Sequence, residues 1–195
     1  MRQCVFILPA IFAAAVLPWL PVEAQTADVG PITLADLNGV TIYSTVVHQQ
    51  VLSRDGKEFS QQSRFDVTVS VKGDRVEGTI KPSGTTPRGP FHGAVQPIAA
   101  TVNKPNASKN FGGGNGIWFL DGSTLTNVLV FKGGGAFRRN IALSRTTNGF
   151  ACKTSEVFAR EGGSGPINWR STVDGGLLTL VSNRQISSSC SVKKG

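Results

Sequence analysis

The sequence predicts an all-β fold from three observations. Turn-forming residues recur at short intervals, the segments between them favour Val, Ile, Thr and Phe, and the apolar period of a helix is nearly absent. We expect a single antiparallel meander of about eight to ten strands that closes as a barrel, because an open sheet of that size must curl or split. A two-sheet β-sandwich is the alternative.

The N-terminal segment is typical of a secretory signal peptide. Arg2 precedes an apolar stretch, and Val22-Glu23-Ala24 places small residues at the two positions that a signal peptidase reads. Cleavage after Ala24 divides the chain into a signal peptide, residues 1–24, and a single domain, residues 25–195. We therefore expect an exported protein, periplasmic or extracellular, without a transmembrane segment in the mature chain.

The segment PITLADLNG predicts one short helical turn. Thr33 can cap its start, and Asp36, three residues later, can accept a hydrogen bond from the backbone N–H of Thr33. Gly39 can end the turn.

Two hairpins follow, and their turn residues fix the pairing. An Asp55-Gly56 turn places Leu52 opposite Phe59 and Ile42 opposite Val69. The second strand of this hairpin also pairs on its other side, since a Gly73-Asp74 turn places residues 65–71 opposite residues 76–82. Both turns assign the same apolar face to that strand, so the register of all three strands is predicted.

Two loops and an edge strand precede the second half of the chain. The loops are residues 82–90 and 103–116, and Pro97 favours an edge strand because proline cannot donate to a central ladder. Further strands are expected near residues 116–121, 123–132, 136–145, 150–160, 167–173 and 177–192.

Two glycine triplets lie in the segment FGGGNGIWFLDGSTLTNVLVFKGGGAF, residues 111–137. GGGNGI does not complete the dinucleotide-binding pattern, and no helix follows it. We interpret FKGGGAF as a three-residue hairpin loop that places Phe131 opposite Phe137 and Leu125 opposite Leu143.

This pairing turns Asn127 and Arg139 toward the apolar face of their strands. If TTNG is a four-residue loop, Arg139 lies opposite Glu156. A polar anchor inside an apolar ligand cavity is one interpretation, and a structural ion pair is the other. A two-residue Asn148-Gly149 turn would instead place Ile141 opposite Glu156.

The first hairpin carries a second polar group on its inner face, formed by Ser44, His48, Gln50, Gln61 and Ser63. His48 could bind a polar ligand or a metal at a rim. The alternative is a hairpin tip that projects beyond the core into water.

The cysteines of the mature chain are Cys152 and Cys190, and an even pair in an exported protein predicts one disulfide. Trp118 shares a face with Leu120 and Leu125, where it could stack on a ligand or pack in the core.

The net charge is +8, and cleavage of the signal peptide would not change it. A basic surface favours anionic partners, but the basic residues are scattered and form no specific nucleic-acid motif. The two histidines have no acidic neighbours at metal-ligand spacing, and no serine lies in a nucleophile elbow. We therefore expect no metal, no cofactor and no catalytic residue.

The overall pattern is similar to that of small uncharacterised exported bacterial proteins. A short turn that leads into a long first strand and an antiparallel meander also resembles the calycins, the lipocalins and avidins, whose barrels bind small, often apolar molecules. A lipocalin carries G-x-W at its first strand, whereas this chain has Gly39-Val40-Thr41 there and Gly116-Ile117-Trp118 much later. The resemblance therefore assigns no binding residue.

We expect a binding module that holds a small apolar or amphipathic ligand inside the barrel, with Arg139, Glu156, Asn127, Trp118 and His48 as candidate contacts. The alternative is an envelope or secreted interaction protein, or an inhibitor, that uses its basic surface. An enzyme is the third hypothesis, and no pair of carboxylates is singled out for it.

Overall fold

A computed structural model describes residues 30–108, 114–131, 135–159, 167–170 and 174–195. The predicted signal peptide, residues 1–24, and most of the FKGGGAF loop lie outside the described residues. The described part of the chain is all-β and antiparallel, as predicted. Its strands are β1 (Val40–Arg54), β2 (Lys57–Lys72), β3 (Arg75–Thr86), β4 (Gly89–His92), β5 (Gln96–Thr101), β6 (Asn106–Ser108), β7 (Gly114–Asp121), β8 (Thr124–Phe131), β9 (Ala136–Thr146), β10 (Gly149–Ala159), β11 (Ile167–Arg170) and β12 (Leu177–Lys194).

The strands form two sheets, so the prediction of one sheet closing as a barrel is wrong. Sheet A has the order β11-β12-β1-β2-β3-β4, with β5 also paired to β3, and sheet B has the order β10-β9-β8-β7-β6. Strands β10 and β12 lie side by side, but no backbone ladder joins them among the described residues. Instead, the backbone N–H of Glu156 donates to the side-chain Oε1 of Gln185, at 2.8 Å. A barrel needs a continuous ladder, and here a side chain takes the place of a backbone partner.

The predicted hairpin registers in sheet A are confirmed. Leu52 lies opposite Phe59 and Ile42 opposite Val69, and the β2–β3 ladder follows the predicted Gly73-Asp74 turn. Asp55 and Gly56 both have positive φ, 51° and 75°, which is the geometry of a type I′ hairpin turn.

In sheet B one predicted register is confirmed and one is wrong. Arg139 lies opposite Glu156, as the TTNG loop predicts, so the alternative that paired Ile141 with Glu156 is wrong. The β8–β9 ladder pairs Leu125 with Ile141 rather than with Leu143. The shift is two residues, which leaves every inward side chain inward because the period of a strand is two.

The segment before β1 is a turn rather than a helix. It has the predicted capping contacts: the backbone N–H of Thr33 donates to Asp36 Oδ2 at 2.8 Å, and the backbone N–H of Asp36 donates to Thr33 Oγ1 at 3.3 Å. Gly39 ends the turn with a φ of 76°. Pro97 lies on β5, which pairs only with β3, so the predicted edge strand is confirmed.

The inner faces of the two sheets share one large apolar cluster. Sheet A contributes side chains from β1, β2, β3 and β5, and sheet B contributes Trp118, Leu125, Ile141 and Leu143. A smaller apolar cluster lies farther along β1, toward the β1–β2 turn, and is formed by Leu52, Leu129, Phe137, Ile167, Leu178 and Leu180. Between these two clusters the interior contains buried polar side chains, among them His48, Gln50, Arg139 and Glu156. We name this region the polar band, and it contains the candidate sites.

The predicted disulfide joins Cys152 on β10 to Cys190 on β12, with their Cα atoms 5.6 Å apart. It therefore links the two sheets where no backbone ladder does so. Both half-cystines pack against the large apolar cluster. No helix among the described residues has the length and apolar character that a membrane span requires.

Candidate functional site

The inner face of β1 changes from apolar to polar along its length. Val40, Ile42 and Val46 are buried at one end, and His48 and Gln50 are buried farther along. The alternative prediction of a hairpin tip that projects into water is wrong, because His48 is 0% exposed and Gln50 is 1% exposed. The polar residues are interior residues, so each needs a partner.

The pairing of β1 with its partner strand β12 contains two irregularities in this region. The register shifts between Val47 and His48 and again between Val51 and Leu52. A bulge adds one residue to a strand and reverses which of the following side chains point inward. After the first shift Gln185 lies opposite His48, which directs the Gln185 amide to the backbone of Glu156.

His48, Arg139 and Glu156 meet in the polar band, and we name these three residues the charged cluster. His48 Nε2 lies 2.9 Å from Glu156 Oε2, and Arg139 Nε donates to Glu156 Oε1 at 2.6 Å. All three side chains are 0% exposed. An ionised carboxylate only accepts hydrogen bonds, so Nε2 is the protonated nitrogen of the His48–Glu156 bond.

The charged cluster holds Glu156 ionised against the effect of burial. Burial alone raises the pKa of a carboxyl, but the nearby Arg139 guanidinium and the hydrogen bond from His48 outweigh it, and the pKa of Glu156 is lowered. The cluster also bridges the sheets, because His48 is on β1 of sheet A while Arg139 and Glu156 are on β9 and β10 of sheet B.

Aromatic rings surround the charged cluster. His48 makes edge contacts with Phe65 and Phe158, at centroid distances of 5.9 Å and 5.7 Å. The Arg139 guanidinium carbon lies 5.0 Å from the centre of the Phe137 ring, a distance at which a cation is attracted to the ring face. These rings exclude water and strengthen the ion pair that they enclose.

The two remaining predicted contacts do not join the charged cluster. Asn127 lies opposite Arg139 on the neighbouring strand, but its side-chain nitrogen donates to the backbone oxygen of Ile117 at 3.2 Å. Trp118 is 4% exposed in the large apolar cluster, so it packs in the core. Sequence reasoning brought Arg139 and Glu156 together and missed the contact of His48 with them, since 108 residues separate His48 from Glu156.

A second polar group lies on the inner faces of β1 and β2, and we name it the amide network. Gln61 Nε2 donates to Gln50 Oε1 at 3.1 Å and to Ser63 Oγ at 2.7 Å. Ser63 Oγ donates in turn to Gln50 Oε1 at 2.7 Å, and Gln50 Nε2 donates to Asn183 Oδ1 at 3.1 Å. The amide network therefore supplies its own donors and acceptors.

A cavity of about 660 Å³ adjoins the amide network. It lies between the β1–β2 turn, the β3–β4 turn and the side chain of Phe158 on β10. Its lining is Gln50, Arg54, Asp55, Lys57, Glu58, Phe59, Gln61, Ser63, Phe65, Pro82, Ser83, Thr86, Pro87, Arg88, Gly89, Pro90, Phe91, Gln96, Phe158, Asp174 and Leu178. None of the five predicted ligand contacts is among these residues, so the cavity does not reach the charged cluster.

Phe91 depends on a glycine for its place in this cavity. Gly84 lies opposite Phe91 in the β3–β4 ladder, and a Cβ at Gly84 would lie 2.7 Å from the Phe91 ring and 2.1 Å from the backbone oxygen of Gln62. Because only glycine leaves this space open, the ring can fold over β3 and form part of the cavity wall.

The geometry of the described residues bears on the choice between binding and catalysis. The charged cluster resembles an acid–base pair, but its three side chains have no exposed surface and do not line the cavity. In the described part of the chain, no group of three or more His, Cys, Asp or Glu side chains is placed to hold a metal ion. The cavity combines four phenylalanine rings with polar and charged side chains, and small-molecule sites use such apolar walls together with polar groups that orient the ligand.

No family model matches the chain, and searches of curated proteins and of solved structures give no significant match.

Proposed function

We propose that the protein is a binding module that holds a small amphipathic molecule in the cavity that sheet A and its turns form with Phe158 of sheet B. The observation that carries the proposal is the cavity itself, whose volume of about 660 Å³ lies within the usual range for small-molecule sites. We further propose that the protein is exported. Its disulfide is compatible with export.

The apolar part of the lining supports an apolar ligand body. Phe59, Phe65, Phe91 and Phe158 supply aromatic surface, and Leu178 adds an aliphatic side chain. Burying a ligand against such rings is favourable because the contact removes apolar surface of both the ligand and the protein from water.

The mouth of the cavity carries charges of both signs. Arg54, Lys57 and Arg88 are matched in number by Asp55, Glu58 and Asp174. Arg54 already holds Asp174 through two hydrogen bonds, of 2.7 Å and 3.1 Å. The mouth therefore favours neither an anion nor a cation strongly, and the ligand is selected by the interior.

This site differs from the one that the sequence predicted. In the predicted site the polar anchor was Arg139 with Glu156, and a continuous interior cavity reached it. In the structure Phe65 and Phe158 both contact His48 and both line the cavity. They stand between the ligand space and the charged cluster, whose role in this proposal is to hold the two sheets together.

The proposal is tested by titrating the purified protein with N-phenyl-1-naphthylamine, a dye that fluoresces in apolar sites. We expect a saturable increase with one site per chain. Phe91→Asp should abolish it by placing a carboxylate in the cavity wall, while His92→Asp should leave it unchanged because His92 is exposed and does not line the cavity. Absence of saturable binding to the wild type, or equal loss in both variants, would overturn the proposal.

The hypothesis of a basic surface for anionic partners remains a prediction. Several exposed cations are engaged by neighbouring carboxylates: Arg64 binds Asp66, Lys72 binds Glu77, and Arg145 binds Asp36. Retention on a polyanion that falls steeply with added salt would support it.

A further inference from the structure

One residue that lines the cavity has a buried acceptor without a donor. Gln96 lines the cavity and is 8% exposed, and its side-chain Oε1 has no hydrogen-bond partner among the described residues. The other buried amides of the lining, Gln50 and Gln61, bind each other and Ser63. A buried acceptor without a partner is costly, so a donor on the ligand would relieve this cost.

The strand registers place Gln96 at the inner end of the cavity. Thr86 is at the mouth, opposite Gly89 in the β3–β4 turn, whereas Gln96 lies opposite Ile80 farther along the same strand. The separation from residue 86 to residue 80 is about 20 Å of strand. A ligand that reaches Gln96 must therefore enter with its polar end first and leave its apolar body against the phenylalanines.

The inner end of the cavity carries no ionisable group among its described lining residues. The charged residues of the lining are at or beside the turns of the mouth: Arg54, Asp55, Lys57, Glu58, Arg88 and Asp174. Pro82 follows two residues after Ile80, the partner of Gln96, and it lines the cavity opposite Phe65; both of these lining residues are uncharged. A carboxylate or an ammonium would lose its hydration there without gaining an opposite charge.

We propose that the ligand is an uncharged amphiphile whose hydroxyl or N–H group donates to Gln96 Oε1 at the inner end of the cavity. This inference rests on the proposed function, because it names the chemical class that the same cavity accepts. An ether or a hydrocarbon of the same shape lacks the donor and leaves the Gln96 oxygen buried without a partner. A site with a buried polar group discriminates against such analogues more strongly than an apolar pocket does.

The test uses three compounds of nearly equal size: 4-octylphenol, which donates a hydrogen bond, 4-octylanisole, which only accepts, and octylbenzene, which does neither. Each displaces bound N-phenyl-1-naphthylamine from the purified protein. We expect the phenol to bind about tenfold more tightly than the anisole, the ratio that one buried hydrogen bond supports. Gln96→Leu should bring the three affinities within about twofold of one another.

Gln62→Leu is the matched control, because Gln62 is exposed on β2 and is not part of the cavity lining. It should keep the wild-type preference. If Gln96→Leu does not fold, as judged by circular dichroism, the wild-type ratio of phenol to anisole still decides the question. Gln96→Glu is a second variant for the same test, and it should shift the preference toward octylamine, because the ammonium group of octylamine pairs with a carboxylate.

Two kinds of failure are distinguishable. If the wild type binds neither the dye nor any of the three compounds, the proposed function fails. If the dye binds and is displaced equally by phenol and anisole, or if the preference persists in Gln96→Leu, the binding module stands and the hydrogen-bonding role of Gln96 is overturned.

Discussion

The large apolar cluster and the charged cluster both join sheet A to sheet B, but they respond differently to the loss of one partner. In the apolar cluster each side chain has many interchangeable neighbours, so the removal of one methyl group weakens a few contacts. In the charged cluster Glu156 depends on two residues, Arg139 and His48. The removal of either takes from a buried Glu156 oxygen the hydrogen-bond donor that it has in the structure. The polar band is therefore the part of the interior that depends on particular residues.

The largest expected effect comes from Arg139→Met. It leaves Glu156 buried without its cation, and we expect the free energy of unfolding to fall by about 3 to 5 kcal/mol. Urea denaturation followed by tryptophan fluorescence measures the change. Arg138→Met is the matched control, because Arg138 is exposed on the outer face of the same strand, and it should cost no more than about 0.5 kcal/mol.

A triple variant sharpens the same comparison. His48→Phe, Arg139→Met and Glu156→Leu together replace the charged cluster with apolar side chains, and this should recover most of the stability that Arg139→Met alone removes. A triple variant less stable than Arg139→Met would contradict the view that the cost arises from an unpaired buried charge.

The next effect in size concerns the disulfide, the covalent link between the sheets. Replacing Cys152 and Cys190 with Ala opens a loop whose ends are 38 residues apart, and we expect a loss of about 3 to 4 kcal/mol. The urea midpoint of the wild type under dithiothreitol should move to that of the double variant. If reduction left the wild-type midpoint unchanged, a stabilising role of the bond would be excluded.

The acid dependence of stability separates the two clusters. Because the pKa of Glu156 is lowered in the folded protein from its ordinary value of 4.5, its contribution is present above that value and is lost as the pH falls through the folded pKa. One such proton changes the free energy of unfolding by at most about 1.4 kcal/mol per pH unit. The triple variant should therefore lose stability less steeply than the wild type below pH 4.5, in urea titrations at a series of pH values.

A second carboxyl contributes to the same acid range and needs its own control. The hydrogen bonds from the backbone and side chain of Thr33 and from Arg145 lower the pKa of Asp36 to about 2. Its contribution is likewise lost as the pH falls from 3.8 toward that value. Asp36→Asn in the triple background should flatten the remaining dependence further, and an unchanged slope would show that the Thr33 cap does not respond to acid.

The smallest effect is expected in the large apolar cluster. Ile141 is 0% exposed, and Ile141→Val removes one methylene group, for a loss of about 1 kcal/mol. Val157→Ala is the control, since Val157 is 50% exposed, and it should cost less than about 0.5 kcal/mol. A loss at Ile141 as large as that at Arg139 would contradict the contrast between the two clusters.

Local signals allowed much of the fold to be predicted. Asp55-Gly56 and Gly73-Asp74 each determine a tight turn, and a tight turn determines every pair in its ladder. The GGG segment after Phe131 does not select one loop length, because glycine accepts many backbone conformations. The predicted β8–β9 register was therefore displaced by two residues, with Leu125 placed opposite Leu143 instead of Ile141.

The candidate site could be predicted only in part, because its contacts are distant in sequence. The turn near residues 146–149 brings Arg139 to Glu156, and this pairing was one of the two that the local turn residues allowed. The approach of His48 depends on how two sheets pack, and the burial of Gln96 depends on how β5 meets β3. Neither has a signal in the spacing of residues along the chain, and the same is true of the missing ladder between β10 and β12.

The pairing of β1 with β12 has a consequence for the order of events during synthesis. Val40 lies opposite Lys194 and Leu52 opposite Leu180, so β1 leaves the ribosome well before the strand with which it pairs. Contacts between such distant segments close slowly, and the early hairpins remain exposed in the meantime. We expect a chain stopped after residue 176 to lack fixed tertiary structure in near-ultraviolet circular dichroism. A folded spectrum from that fragment would show that residues 1–176 assemble without β12.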